Sequence, residues 1–348
     1  MRSGDFKETY SGLIVLSDST WVWIWSALLA AALVCAPFVL NAYALSLLTL
    51  VLITLIGALG LNILTGLTGL ISLGHVGFLV VGAYAYAIAV TKHGLPPLAG
   101  FAASGLVAAL ASVIVGVPSL RLRGLYLAIT TLAFSFIINN VILEAAAVTD
   151  GARGISVLRP TILGIDFDSD AAFALLCLAV TVLTLFACLN IRRSRIGRAL
   201  VAIRDNDTAA RTMGVNLVTF KLYAFVTSAF ITGIAGALLG IYLSFVSVEG
   251  FPFLLSIEAL AILIVGGLGS VLGVVLGTVF IILLPEVVQT VLHFAGSGVE
   301  ALFANGVHEL KAMLYGVVII LFLRFEPRGL VGIWHDVKRL WVHWPLRF

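Results

Sequence analysis

Asn62, Thr65, Thr68, Ser72 and His75 interrupt a glycine-rich, apolar stretch that begins at Gly57 and reads Gly-Ala-Leu-Gly-Leu-Asn-Ile-Leu-Thr-Gly-Leu-Thr-Gly-Leu-Ile-Ser-Leu-Gly-His. An amide, three hydroxyls and an imidazole can hydrogen-bond a polar solute, and the glycines Gly66 and Gly69 allow backbone to leave helical geometry. Polar side chains and irregular backbone at membrane depth are tolerated only where protein or a wet cavity surrounds them. Two readings follow: a lining for a polar pathway (Asn62, Thr65, Ser72, His75), or hydrogen bonds between helices. Glu258, in Ser256-Ile-Glu258-Ala, is an acid near the start of another apolar run. Intramembrane carboxylates are costly, and this one suits either a pathway or gating role or a structural hydrogen bond. A proton relay would need further acids at depth, and none is present there, Glu286 falling in the acidic segment 286–309.

Catalytic constellations are missing. The sequence has no GxxxxGK[ST] phosphate loop, so this chain does not hydrolyse a nucleotide by that mechanism. It carries no Ser/His/Asp, Cys/His or metal-ligand spacing, and Cys35, Cys177 and Cys188 each lie in an apolar run as small packing residues. A second glycine cluster, Gly266-Gly267-Leu-Gly269-Ser-Val-Leu-Gly273-Val-Val-Leu-Gly277, repeats every four residues and lets helix backbones approach closely. Gly66, Gly69, Gly266, Gly267, Gly269 and Gly273 are therefore expected to serve helix packing or act as hinges.

The elements that carry these residues follow from composition. The 348 residues are 61% hydrophobic and 11% charged, against roughly a quarter charged in a soluble domain. That excludes a soluble enzyme, a nucleic-acid binder and a disordered protein, and the unbroken apolar runs argue against a β-barrel. The expected fold is all-α, a polytopic membrane protein. With about 20 apolar residues per crossing, the spans fall at 21–40, 44–64, 70–91, 97–117, 124–143, 172–190, 220–245, 253–268, 271–292 and 310–325. The pair meeting at the second glycine cluster is a candidate for broken or re-entrant elements.

Basic residues orient the spans. Residues 191–219 and the flanking Lys221 hold seven Lys or Arg against Asp205 and Asp207, for a net charge of +5 over 192–221. Arg121, Arg123 and the tail after 323 are basic too, whereas 144–171 and 286–309 are acidic. Both termini are then expected in the cytoplasm. The divisions are a cytoplasmic segment 1–20, a transmembrane region 21–325 containing an outer loop at 144–171 and a cytoplasmic loop at 191–219, and a cytoplasmic amphipathic tail at 326–348. Residues 1–20 lack a signal-peptide pattern. Trp21, Trp23, Trp25, Trp334, Trp341 and Trp344 lie at the span edges as interfacial anchors.

Within 191–219, Ile196, Ala199, Leu200 and Ile203 have helical spacing. Asp207 is the expected N-cap of a second short helix, and Gly214 its stop. Ala209 and Ala210 are small enough to seat a knob in a partner's groove. A solvated connection is the simpler reading, but Thr208-Ala-Ala-xxx-Gly214 is similar to the EAA-xxx-G loop of importer permeases, with Thr in place of Glu. The stretch Gly197-Arg-Ala-Leu-Val-Ala-Ile-Arg204-Asp-Asn-Asp-Thr-Ala-Ala-Arg-Thr-Met-Gly214 more closely resembles the LivM-type permeases of branched-chain amino acid uptake. Leu61–Gly66, Leu70–His75, Arg123–Tyr126, Lys221–Phe225, Ser256–Glu258, Gly266–Ser270 and Glu326–Gly332 follow in the family's order. Asp150 and Arg153 depart from its Gly-rich outer turn.

The resemblance implies a subunit of an ATP-driven importer in the bacterial inner membrane. Its partners would be a second permease, two cytoplasmic ATPases that bind the ATP and Mg, and an extracytoplasmic solute-binding protein, with no cofactor in this chain. Coupling to the ATPases would use Arg198, Arg204, Asp205, Ala209, Ala210 and Gly214. Importers of urea or short amides, or of small aromatic or carboxylic acids, use the same permease type. Secondary transporters or channels and non-transporting scaffolds are competing classes, separated by whether uptake needs ATPases and whether solute moves at all.

Overall fold

The computed structural model describes residues 20–119, 122, 124–162, 164–295 and 307–343. Among the described residues ten helices build the bundle: α1 (Thr20–Val39), α2 (Ala42–Leu61), α3 (His75–Ala87), α4 (Pro97–Ser119), α5 (Leu125–Glu144), α6 (Asp170–Arg193), α9 (Leu217–Leu243), α10 (Leu254–Gly266), α11 (Val271–Ala295) and α12 (Val307–Phe325). Between α6 and α9 lie two short helices, α7 (Arg195–Asp205) and α8 (Asp207–Thr212), and α13 (Gly329–His343) follows α12. Wide π turns at Asn62–Gly66 and Ile88–Lys92 extend α2 and α3. Among the described residues, eight segments are long and apolar enough to cross a membrane, and α1 and α12 add shorter apolar stretches at Ala30–Val39 and Ala312–Phe325.

α9 is the axis of the bundle, with α2, α3 and α4 packed around it. Lipid offers no hydrophobic drive between helices, so close contact through small residues dominates. A Cβ on Gly82 of α3 would sit 2.1 Å from the carbonyl oxygen of Gly233 of α9, and one on Gly236 would sit 2.0 Å from that of Leu79. The second glycine cluster acts the same way. A Cβ on Gly273 of α11 would fall 2.5 Å from the Gly266 carbonyl, and one on Gly277 would fall 2.3 Å from the Ile262 carbonyl. α10 and α11 are thus separate helices folded back on one another at the 267–270 turn.

The connections between α5 and α6 and after α9 carry two small antiparallel ribbons. β1 (Ile155–Ser156) pairs with β4 (Phe245–Val246), and β2 (Thr161–Ile162) pairs with β3 (Ile165–Asp166). Asp150 takes a left-handed conformation with φ 60°, and its carboxylate accepts a 2.9 Å bond from Lys92, whose ammonium also reaches the Val148 carbonyl. Arg159 pairs with Asp170 in the same connection, and Tyr43 donates to Glu286.

Two sequence expectations change. The span expected from 70 starts at His75, because hydroxyls capture the N–H groups that a helix would have used. Leu70 N–H bonds Thr68, Leu73 N–H bonds Thr131 of α5, and Gly74 N–H bonds Ser72. The N-cap of α8 is Asn206, which accepts from the N–H groups of both Thr208 and Ala209. Asp207 instead forms an ion pair with Lys221 of α9 at 2.8 Å. Of the three cysteines, Cys177 and Cys188 are buried and Cys35 is exposed on α1. The side chains of Trp21, Trp23, Trp25 and Trp341, with Arg121, Arg123, Trp344 and residues 1–19, lie outside what is described.

Candidate coupling and pathway site

Side-chain caps shape the 191–219 segment. Ser194 accepts from Gly197 N–H to start α7, Asn206 caps α8 and Asn216 accepts from Thr219 N–H to start α9. Each satisfies an orphan donor of a first turn. A Cβ on Gly197 would come 2.2 Å from the Ile191 carbonyl, so the α6–α7 corner requires glycine. Gly214, at φ 84°, reverses the chain after α8, and Val215 N–H closes the turn on the Ala210 carbonyl at 3.1 Å.

The expected coupling residues separate into two sets. Arg198, Arg204, Asp205, Ala209 and Gly214 are exposed, and Arg198 donates to the Arg193 carbonyl at 3.0 Å. Ala210 is buried against its own chain, so a partner would meet Ala209 first. Met213, which sequence reasoning passed over, leaves 86% of its surface exposed at the end of α8. Its signal was a large apolar residue between a polar helix and a stop glycine.

Arg204, though exposed, lays its guanidinium against its own chain. Its Nη1 donates to the Gly66 carbonyl at 2.6 Å and lies 3.3 Å from the Leu268 carbonyl. Asn62 is buried beside it, with Oδ1 accepting from Gly269 N–H at 3.0 Å. Asn62 therefore joins two helix breaks and does not present its amide oxygen to an open cavity. A Cβ on Gly66 would come 2.0 Å from Asn62 Oδ1, and one on Gly269 would come 2.7 Å from Arg204 Nη1. Gly69 lies over the stem of Arg204. The turn after α12 packs here too, since a Cβ on Gly267 would meet the Arg328 carbonyl at 2.6 Å.

From this junction, residues 67–74 descend back into the bundle. A Cβ on Gly57 would lie 3.1 Å from Nε2 of His75, and Gly57 is nine residues before Gly66. At a rise of 1.5 Å per residue His75 is about 13 Å deeper than the junction. α3 thus begins mid-bundle, and its Val76 N–H donates to Ser256 Oγ of α10 at 2.9 Å. Ser72 and His75 are buried in this descending segment; Thr65 Oγ1, buried near the end of α2, finds no partner among the described residues. Glu258 is buried two residues beyond Ser256, and Tyr315 of α12 donates to its Oε2 at 3.4 Å.

The five expected lining residues therefore do not form one cluster. Asn62 and Thr65 belong to the junction, Ser72 and His75 to the descending segment and the start of α3, and Glu258 to the α10–α12 contact. Sequence reasoning missed the amides Asn139 and Asn140 of α5. Asn140 is exposed, with Nδ2 on the Phe136 carbonyl at 2.8 Å. The Oδ1 of Asn139 is inaccessible and has no partner among the described residues. Two adjacent amides within an apolar span are themselves a signal.

Comparison with known proteins agrees with this architecture. Residues 43–323 match the family described as branched-chain amino acid transport system / permease component. The chain is 33% identical over 319 residues to the high-affinity branched-chain amino acid transport system permease protein LivM of Escherichia coli, covering 85% of this chain and 71% of the relative. It is 28% identical to BraD of Pseudomonas aeruginosa over 79% of this chain and 90% of that protein. It is also 28% identical to LivH of Escherichia coli over 44% of each chain. With ten apolar helices, a broken span at its centre and a match across most of its length, the chain belongs to the branched-chain amino acid transport system permease family.

Proposed function

We propose that this chain forms the passage of an ATP-driven importer in a bacterial inner membrane, taking up branched-chain amino acids or related small polar solutes. It works beside a second permease, is powered by two cytoplasmic ATPases docked on α7 and α8, and receives solute from an outer binding protein. The observation that carries this reading is the α7–α8 element. It is capped at each helix start, pinned to α9 by the Lys221–Asp207 pair, and offers Ala209 and Met213 outward. A plain connection between spans needs no such rigidity.

The alternation of ten crossings puts the described start of α1, α7–α8 and α13 at one end of the bundle. The excess of basic residues there supports a cytoplasmic placement. The relatives include both LivM and LivH proteins, which supports a pair of like permeases. The exposed Asn140, on a span of which only a third is covered, supports placing that pair across the α5 face, since a bare amide in lipid is costly. The bend at 67–74 and the start of α3 then line the passage, as broken helices do in transporters.

The test is reconstitution of this chain with the second permease, the ATPases and the receptor made alongside it. Uptake of labelled leucine, isoleucine or valine should require ATP and the receptor and survive collapse of ion gradients. Uptake driven by an ion gradient without ATPases would overturn the proposal.

A further inference from the structure

Three helices end at one guanidinium. α2 with its π turn ends at Gly66, α10 ends at Gly266 just before Leu268, and α7 ends one residue beyond Arg204 itself. The last carbonyls of a helix lack intrahelical donors and carry partial negative charge. Arg204 Nη1 meets the Gly66 carbonyl at 2.6 Å and the Leu268 carbonyl at 3.3 Å. Asn62 Oδ1 ties the same two breaks together through Gly269 N–H at 3.0 Å. Arginine is suited to this place because its planar fork offers several fixed donors and stays charged.

We propose that Arg204 is the positioning residue that transmits motion of the α7–α8 element to the two helix breaks, and so to the passage. The linkage continues on both sides. From Gly66 the chain runs through 67–74 to His75, and from Leu268 α10 runs back to Ser256. The two arms meet again at the 2.9 Å bond between Val76 N–H and Ser256 Oγ. A displacement of α7 therefore moves the start of α3 and the facing turn of α10 together. Arg204 does this through bonds to its own chain, while Ala209 and Met213 make no such tie and remain to meet the ATPase. The inference rests on the importer reading above.

The test uses the complete complex with Cys35→Ser and a reporter at Leu268→Cys, which keeps the backbone carbonyl. Reaction of the reporter with a membrane-impermeant maleimide is timed without nucleotide and after trapping with ATP and vanadate. With Arg204 present, the rate should change by about fivefold or more, as expected for a coupling of ordinary size. In Arg204→Ala the nucleotide effect and solute uptake should be lost while the ATPases still co-purify, and Arg204→Lys should restore part of both. Gly269→Ala, which strains a φ of 80° and sets a methyl 2.7 Å from Nη1 and 2.8 Å from the Gly66 carbonyl, should reproduce the loss by disturbing the same junction. An intact nucleotide effect in Arg204→Ala, or loss of the ATPases from that variant, would overturn the inference. Failure of the importer reading shows separately, as ATPases that bind equally well to Ala209→Arg.

Discussion

Arg204 donates to the carbonyl oxygen of Gly66 at 2.6 Å across 138 positions of sequence. That bond joins a basic surface helix to the point where an apolar span stops being helical. Charge-assisted bonds of this kind contribute roughly 1.5–3 kcal/mol. Asn62 to Gly269, across 207 positions, ties the same junction a second way.

Ala209→Arg and Ala210→Arg are expected to fail differently. Ala209 is exposed, so its arginine leaves the permease folded and inserted but blocks ATPase association and uptake. Ala210 is buried, and a buried unpaired cation costs several kcal/mol. Its variant should lower the amount of folded permease and expose 195–214 to protease. Co-purification of the ATPases, membrane levels and limited proteolysis distinguish the two.

Asn62→Leu removes the acceptor of Gly269 N–H. An orphaned buried donor costs about 1–3 kcal/mol, so the variant should inactivate at a lower temperature and reduce maximal uptake while the complex still assembles. The solute concentration for half-maximal uptake should stay unchanged. A tenfold rise in that concentration, on the order of 1.4 kcal/mol, with unchanged thermal stability would make Asn62 a solute contact instead.

Gly82→Ala places a methyl 2.1 Å from the backbone oxygen of Gly233. Backbone cannot rotate aside as a side chain does, so the substitution should cost about 1–3 kcal/mol or more. Gly316→Ala meets nothing within 4 Å and should be neutral or stabilise by up to about 1 kcal/mol. Thermal unfolding of the two variants in detergent gives the comparison.

Asp150→Gly loses an ion pair whose side chains are 30% and 44% exposed, a contact typically contributing below about 1 kcal/mol. It also relieves a left-handed residue, which costs roughly 1–2 kcal/mol for most side chains. The net change in stability should stay within about 1 kcal/mol. Asp150→Val should be clearly worse, and a double-mutant cycle with Lys92→Ala should return a coupling below about 1 kcal/mol.

Eight of the ten expected spans were legible as apolar runs near membrane length, while α1 and α12 show only shorter apolar stretches among the described residues. The break before α3 was visible as a cluster of glycines and hydroxyls. Its starting point was not, because Leu73 and Val76 find their acceptors on Thr131 and Ser256, 58 and 180 residues away. The cap of α8 shifted by one residue, since Asn206 and Asp207 are both good caps and only the Lys221 contact separates them. Arg204 reads from the sequence as one of the residues coupling to the ATPases. Its bonds to Gly66 and Leu268 depend on three helix ends converging, which no local spacing encodes. Asn139 and Asn140 could have been found from their type and position alone.

The contact between α3 and α9 makes one body of two helices. With Gly82 against Gly233 and Gly236 against Leu79, backbone touches backbone, and neither helix can slide without a collision. They travel as one beam. Whatever moves the start of α3 must then carry α9 with it, so a displacement delivered at the helix breaks reaches the axis of the bundle as a whole.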